Sequence, residues 1–217
     1  MESVIEQLST GTPLRILVLL TLLTFLPGLL LSMTAFLRII IVMGFLRSAI
    51  GLAQMPPNQV LIGLSLFLTW FVMGDVVQES LDRAVIPYSQ GQIEEIELGN
   101  RAVQPFRRFM LEETRQKDLA LMANLAELEE MEGPEDVPLR VLVPAFIASE
   151  LRVAFSIGFL LFVPSLVIDL ATAALLNALG MIMLPPTAIS LPFKILVFVL
   201  ADGWSLLVAA LTRTFGG

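Results

Sequence analysis

Hydrophobic and polar positions are segregated into long blocks along this chain. No charged residue occurs in residues 48–74 or 170–193, and residues 14–46 carry only Arg15 and Arg38. Apolar runs of this length are typical of helices that lie in a membrane or inside a large hydrophobic assembly. The pattern predicts an all-α protein.

A Pro-Pro pair interrupts each of the two uncharged blocks, at Pro56-Pro57 and at Pro185-Pro186. Proline lacks a backbone N–H and stops a helix. The two pairs therefore predict hinges at which helical hairpins turn.

The individual apolar segments fit a bilayer poorly. A helix over residues 14–46 would be roughly 50 Å long, against a bilayer core of about 30 Å, and we expect Pro27-Gly28 to kink or divide it. A helix over residues 60–74 would be only about 22 Å long. Pro144 and Pro164 bracket a third segment. Because almost no segment is a clean span, we expect the helices to pack mainly against other subunits, around a polar path.

The polar residues are concentrated in one insert, residues 75–140, which holds fifteen acidic and seven basic residues. Its middle is predicted to be helical, with Glu113 and Lys117 as an i,i+4 pair and a stop at Gly133-Pro134. In chain order, the predicted regions are a polar tail (1–12), a first hydrophobic helical hairpin (13–74), the insert (75–140) and a second hydrophobic hairpin region (141–217).

Composition excludes several functions. The chain has no cysteine and no histidine, which removes disulfides, the commonest general base and the commonest zinc ligand. The formal net charge of −7 argues against binding to nucleic acid, which needs a basic surface. No phosphate loop, nucleophile elbow or metal-ligand cluster is present. We expect neither an enzyme nor a cofactor. No cleavable signal peptide is expected either, because residues 1–11 lack a positive n-region.

Charges inside the apolar segments are candidate functional residues, because each is costly at membrane depth. Glu150 and Arg152 lie two residues apart and so point to nearly opposite sides of a helix. Each needs a partner elsewhere, and Lys194 is the candidate for Glu150. An ion pair between helices or subunits and a charge solvated in a lumen are both open interpretations. The other charges expected to be buried are Arg38, Arg47, Arg152, Asp169 and Asp202.

Met181, Ile182 and Met183 directly precede the second hinge. Methionine is unbranched and adaptable, so a ring of such loops could seal a pore reversibly. Ordinary apolar packing is the alternative interpretation.

Three blocks of the sequence resemble the FliP family of the flagellar type III protein export apparatus, whose injectisome members are called SctR. The first block is Phe36-Leu37-Arg38-Ile39-Ile40-Ile41-Val42 with Phe45-Leu46-Arg47-Ser48-Ala49-Ile50-Gly51, and the second is Pro56-Pro57-Asn58-Gln59-Val60-Leu61-Ile62-Gly63-Leu64. The third runs from Pro144-Ala145-Phe146-Ile147-Ala148-Ser149-Glu150-Leu151 through Leu191-Pro192-Phe193-Lys194 to Val199-Leu200-Ala201-Asp202-Gly203-Trp204.

The resemblance implies a non-enzymatic subunit of an export gate. In that family, five copies assemble with four FliQ subunits and one FliR subunit into a closed helical pore for unfolded flagellar proteins, next to FlhB and FlhA. The complex sits in the basal body at the bacterial inner membrane, in contact with lipid and largely raised toward the periplasm.

The resemblance also implies residue roles. The family's methionine gasket matches Met181-Ile182-Met183, with Ile182 in place of one methionine. Its intersubunit glutamate and lysine match Glu150 and Lys194. A secondary transporter or channel subunit for a small solute is the alternative, since two Pro-Pro hairpins could form a weak internal repeat.

Overall fold

The computed structural model describes residues 17, 20–21, 24–25, 27–28, 30–52, 54–127, 133 and 136–215. Their helices, in chain order, are α1 (Phe36–Ile50), α2 (Asn58–Val72), α3 (Gly74–Ser80), a π-helical segment (Leu81–Val85), α4 (Ile86–Ser89), α5 (Glu95–Glu113), α6 (Gln116–Leu125), α7 (Leu139–Ala178), α8 (Pro186–Leu200) and α9 (Gly203–Arg213). Within the described ranges there is no strand, which confirms the predicted all-α class.

Helix α1 is the centre of the core. Its buried residues Ile39, Val42, Met43 and Leu46 recur at the helical spacing of three and four, so they form one apolar face. That face packs mainly against α7. The helix ends at Gly51, whose φ of +90° gives a left-handed cap that a side chain would disfavour.

Helix α7 is continuous over 40 residues, or roughly 60 Å. It runs through both Pro144 and Pro164, although each proline removes one backbone hydrogen bond. The two prolines that bracket the third predicted segment therefore do not end the helix. Helices α1, α5 and α6 pack against α7, where local propensity alone favours a break.

Helices α1 and α7 approach each other closely at Gly158. A Cβ atom there would lie 2.4 Å from the ring of Phe45. That ring also meets Phe155 edge-to-face, with 5.0 Å between centroids. Glycine at this position is required by the crossing of the two helices rather than by backbone conformation.

The polar insert folds back onto the first half of α7. Helices α5 and α6 both pack against α7, with Phe109 and Met110 of α5 buried in the core. The predicted i,i+4 pair of Glu113 and Lys117 does not form, because α5 ends at Glu113 and the backbone is extended at Thr114 and Arg115. The buried hydroxyl of Ser149 accepts a 2.8 Å hydrogen bond from the Arg115 backbone N–H, which stabilises this break.

A helix begins at each Pro-Pro pair. Pro57 precedes the first residue of α2, and Pro185 precedes α8, whose first residue is Pro186. Both α2 and α8 are 15 residues long and are followed by sharp bends, of 63° before α3 and 65° before α9. Proline at the start of a helix is favourable, because the backbone donor it lacks would have no partner there.

Before α1, the residues described at Pro27 and Gly28 are helical, and the chain turns at residues 33–35 instead. The predicted polar tail, residues 1–12, lies outside the described residues, as does Pro134 of the predicted helix stop.

By length and composition, α7 can cross a membrane, and the bent pairs α2–α4 and α8–α9 would raise the described spans to three if each counts as one. The fold is therefore consistent with a membrane protein. Its core is centred on α1, α5, α6 and the first half of α7, and Leu61, Met73, Leu207 and Leu211 contribute to it.

Candidate functional site: a buried ion cluster and an exposed methionine loop

Arg38 is the centre of a buried ion cluster. Its side chain is 2% exposed and points from α1 toward α5 and α7. Its Nε donates to Glu150 at 2.9 Å, and its Nη2 donates both to Glu150 and, at 2.7 Å, to Glu113. The guanidinium therefore joins three helices that are far apart in the sequence.

The remaining donors of Arg38 reach the residues that follow α9. Nη1 donates to the backbone carbonyl of Thr214 at 2.9 Å and to its hydroxyl at 3.0 Å. The face of the guanidinium lies 3.9 Å from the centroid of the Phe215 ring. All five N–H donors thus have acceptors, an arrangement that the single ammonium of lysine cannot reproduce.

A buried ion cluster determines how the helices are positioned relative to one another more reliably than it stabilises the fold. Burying two charges costs solvation energy that their attraction offsets only when the hydrogen bonds are complete. Removing one partner leaves an uncompensated buried charge and costs about 3–5 kcal/mol. We therefore regard Arg38 and Glu150 as the polar centre of the subunit.

The structure gives Glu150 a different partner within the chain from the one the sequence suggested. Glu150 pairs with Arg38, and Lys194 pairs with Asp169 at 2.7 Å. Arg38 is itself buried within the chain. A pairing of Glu150 with Lys194 between subunits stays a prediction.

Lys194 and Asp169 form a second polar cluster, between α8 and the second half of α7. The Ser190 hydroxyl donates to the other carboxylate oxygen of Asp169 at 2.5 Å. Lys194 is buried, whereas Asp169 is partly exposed. The cluster holds the α8 hairpin against α7 in an otherwise apolar region.

The chain buries fewer of the predicted charges than expected. Of the five, Arg38 is buried, Arg47 and Asp169 are half-buried, and Arg152 and Asp202 are exposed. Arg47 donates to the Asn58 side chain at 2.6 Å, beside the first hinge. Arg152 lies on the side of α7 opposite the ion cluster and donates to Asp118 at 3.1 Å.

The methionine loop protrudes from the subunit between α7 and α8. The turn begins at Gly180, whose φ of +74° favours glycine. Met181 and Ile182 are exposed, and Met183 is 95% exposed. The chain therefore does not use these three side chains for its own packing, which disfavours the interpretation of ordinary apolar packing within the subunit.

Large apolar side chains also stand uncovered on three helices. They are Phe67, Trp70 and Phe71 on α2; Phe155, Phe159, Leu160, Val167 and Leu170 on α7; and Phe193, Leu196, Val199 and Leu200 on α8. Exposed apolar surface of this extent marks contact with protein or lipid.

Sequence reasoning missed the role of Arg38, Thr214 and Phe215. A signal was present, because a charged residue in the middle of an apolar helix requires a partner. The identity of that partner was hidden, because the contacts join residues 112 and 176 positions apart. In the part of the chain that the structure describes, no group of acidic side chains is arranged to hold a metal ion.

Comparison with known proteins gives one consistent family. The family model described as "FliP family" matches residues 19–211. A flagellar biosynthetic protein FliP of Pectobacterium carotovorum is 57% identical over 199 residues, which cover 92% of this chain and 77% of that protein. Proteins of the same name are 47% identical in Bacillus subtilis, with 95% and 94% covered, and 44% identical in Aquifex aeolicus, with 93% and 85% covered. The family model spans both Pro-Pro hinges and the charged side chains of both ion clusters, and the chain belongs to the FliP family.

Proposed function

We propose that this chain is a non-enzymatic subunit of the flagellar type III protein export gate. It would form, with FliQ and FliR, the closed pore through which unfolded flagellar proteins leave the cytoplasm. The observation that carries the proposal is the apolar surface left uncovered on α2, α7 and α8 in a chain of this family. Surface of this extent is covered either by other subunits or by lipid.

The proposed setting is the inner membrane at the flagellar basal body, with the assembly raised toward the periplasm and FlhB and FlhA as neighbours. Helix α7 is roughly twice as long as a bilayer core is thick, so part of it must lie outside the hydrocarbon. Its first half is already covered by α1, α5 and α6, which supports placing that half outside the lipid.

The test is co-expression of the full chain with FliQ and FliR, followed by native mass spectrometry of the extracted complex. One complex with five copies of this chain is the expected result. A stable monomer that ignores both partners would contradict the proposal and favour a small-solute transporter or channel, to be followed by transport assays.

We also propose that Glu150 of one copy approaches Lys194 of the next. Both residues already have partners within the chain, so mutating either would disturb its own subunit first. Neighbouring exposed positions offer a cleaner test. Leu151 and Ile195 are exposed and adjacent to the two charges, and the chain has no native cysteine.

The experiment mixes two differently tagged chains, one with Leu151→Cys and one with Ile195→Cys, and applies a short thiol cross-linker to the assembled complex. A product that carries both tags is expected. Leu121→Cys on α6, also exposed, replaces Leu151→Cys in the control and should give none. An assembled complex without the two-tag product would exclude the pairing.

For the methionine loop we propose a gasket around the closed pore, with Met181 and Met183 as the sealing side chains beside Ile182. Their exposure in the single chain leaves them available to meet the same loop of neighbouring copies. Flexible thioether side chains can separate and repack without a fixed geometry.

A further inference from the structure

Helix α9 is held at its far end by Arg38. Two of the five Arg38 donors go to the carbonyl and hydroxyl of Thr214, and the guanidinium face covers the Phe215 ring. Phe215 also stacks on Phe109 of α5, with 6.2 Å between centroids. We call these three residues the clasp: Arg38, Thr214 and Phe215.

A bend lies at the near end of α9. Helix α8 ends at Leu200, and Asp202 adopts a left-handed φ of +50°, which is uncommon for a residue with a side chain. At Gly203 a Cβ atom would lie 2.3 Å from the ring of Phe198, so the chain passes very close to α8. The two helices meet at 65°. This joint can act as a pivot because it is a short non-helical connection between two rigid helices.

Between the pivot and the clasp, α9 borders an open apolar groove of roughly 500 Å³. Leu206, Ala210 and Thr214 line its α9 side, and Leu46 and Leu161 line the opposite side, on α1 and α7. Only two side chains of α9, Leu207 and Leu211, are buried. Since the groove leaves much of the helix without close packing, its position depends strongly on what holds its ends.

We propose that the clasp sets the position of α9 across the groove, and that its release lets α9 swing outward about residues 201–203. Arg38 is aimed at Thr214 because Glu113 and Glu150 hold the other side of the same guanidinium. A change at either carboxylate is therefore transmitted to α9. The clasp couples the buried ion cluster to the width of the groove, and this holds whether or not the export-gate function is correct.

The full chain in detergent, spin-labelled at two introduced cysteines, tests the clasp. Ser156→Cys on α7 and Arg213→Cys at the C-terminal end of α9 are exposed sites, and the absence of native cysteine makes the labelling specific. Double electron–electron resonance then reports the distance from α7 to α9. A second pair, Ser48→Cys with Ser156→Cys, reports the distance between α1 and α7 in the body.

Phe215→Ala and Arg38→Lys are expected to broaden the α7–α9 distance distribution and shift it to longer distances. Phe215→Ala removes the stacked ring without leaving a charge unpaired, so it should leave the body distance unchanged. Phe67→Ala, which removes an exposed aromatic ring from α2, is the matched control and should change neither distance. Thr214→Val keeps the main-chain carbonyl and should give a smaller shift than Phe215→Ala.

Two results would overturn the proposal. One is an unchanged α7–α9 distribution in both Phe215→Ala and Arg38→Lys. The other is a shift in Phe215→Ala that the control Phe67→Ala reproduces in full. If Arg38→Lys alone disturbs the body distance, the subunit has lost its core and Phe215→Ala decides the question.

Discussion

The two halves of α7 are both apolar in sequence but have opposite surroundings. In residues 139–154 the buried side chains include Leu142, Phe146 and Glu150, and α1, α5 and α6 cover them. In residues 155–178 most large side chains are exposed, and the buried positions are Gly158, Ser165, Thr172 and one large apolar residue, Leu176. One helix therefore contains a first segment that is buried by the chain's own helices and a second segment whose apolar surface is left exposed.

This difference shows which part of the subunit is packed within the chain and which part needs contact with other subunits or lipid. The first half buries Glu150 in a hydrogen-bonded cluster with Arg38, which requires fixed protein partners. The second half offers a surface of roughly 36 Å in length, close to the thickness of a bilayer core. Residues with the same hydrophobicity stabilise the subunit in one half and support assembly or lipid contact in the other.

Replacing Glu150 is expected to have the largest effect on the free energy of unfolding, because Glu150 is the main acceptor for Arg38 in the buried half of α7. Glu150→Ala leaves Arg38 buried without its main acceptor and should lower the free energy of unfolding by about 3–5 kcal/mol. Arg101→Ala, which breaks an exposed ion pair with Glu97 on α5, should lower it by no more than about 1 kcal/mol. Denaturant unfolding of the isolated chain in detergent measures both, and equal losses would contradict the contrast.

Adding a methyl group at Gly158 tests how closely α1 and α7 approach each other at the boundary between the two halves of α7. Gly158→Ala forces the Phe45 ring to move and should destabilise the chain by about 1–3 kcal/mol. Gly99→Ala is the control, since nothing lies near its Cβ position on α5, and the better helix propensity of alanine should leave stability equal or higher. Equal melting temperatures for the two variants would mean that the close approach of α1 and α7 is absent in solution.

Truncating Phe159 separates stability from assembly. The side chain is exposed, so Phe159→Ala should change the unfolding free energy of the isolated chain by less than about 0.5 kcal/mol. Co-expression with the partner subunits should nevertheless yield less complex, because the ring belongs to the surface that assembly covers. Ile96→Ala in the polar insert removes a side chain that is also exposed, and it should not reduce the yield. Normal yield of the Phe159→Ala complex would remove this ring from the assembly surface.

Substitutions in the methionine loop are expected to have the smallest effect on the free energy of unfolding. Met181→Ala combined with Met183→Ala should change the unfolding free energy by less than about 0.5 kcal/mol, because neither side chain packs within the subunit. In the assembled complex the same double variant should increase the leakage of small solutes across the membrane. Leu179→Ala, exposed at the end of α7, serves as the control. An assembled double variant that leaks no more than this control would exclude the gasket.

Much of the local structure followed from the sequence, because local rules decide it. The hinges at Pro57 and Pro185 precede helices since proline cannot continue one. The all-α class and the family resemblance also came from residue patterns alone, and both are confirmed.

Tertiary packing overrode local rules at three places. The prolines at 144 and 164 predicted breaks, but α7 continues through both because neighbouring helices hold it. The break between α5 and α6 interrupts the predicted pair of Glu113 and Lys117, because Glu113 turns toward Arg38 instead. A pattern of charges along one segment cannot reveal a competing partner on another.

The sequence by itself determined that this protein is helical, hinged, rich in apolar surface and a member of its family. Only the tertiary structure decided that Arg38, Glu113, Glu150 and Thr214 meet in one buried cluster and that the two halves of α7 differ in surroundings. The physical reason is that helix formation depends on neighbours within a few residues, whereas burial and ion pairing depend on which faces meet when the helices pack.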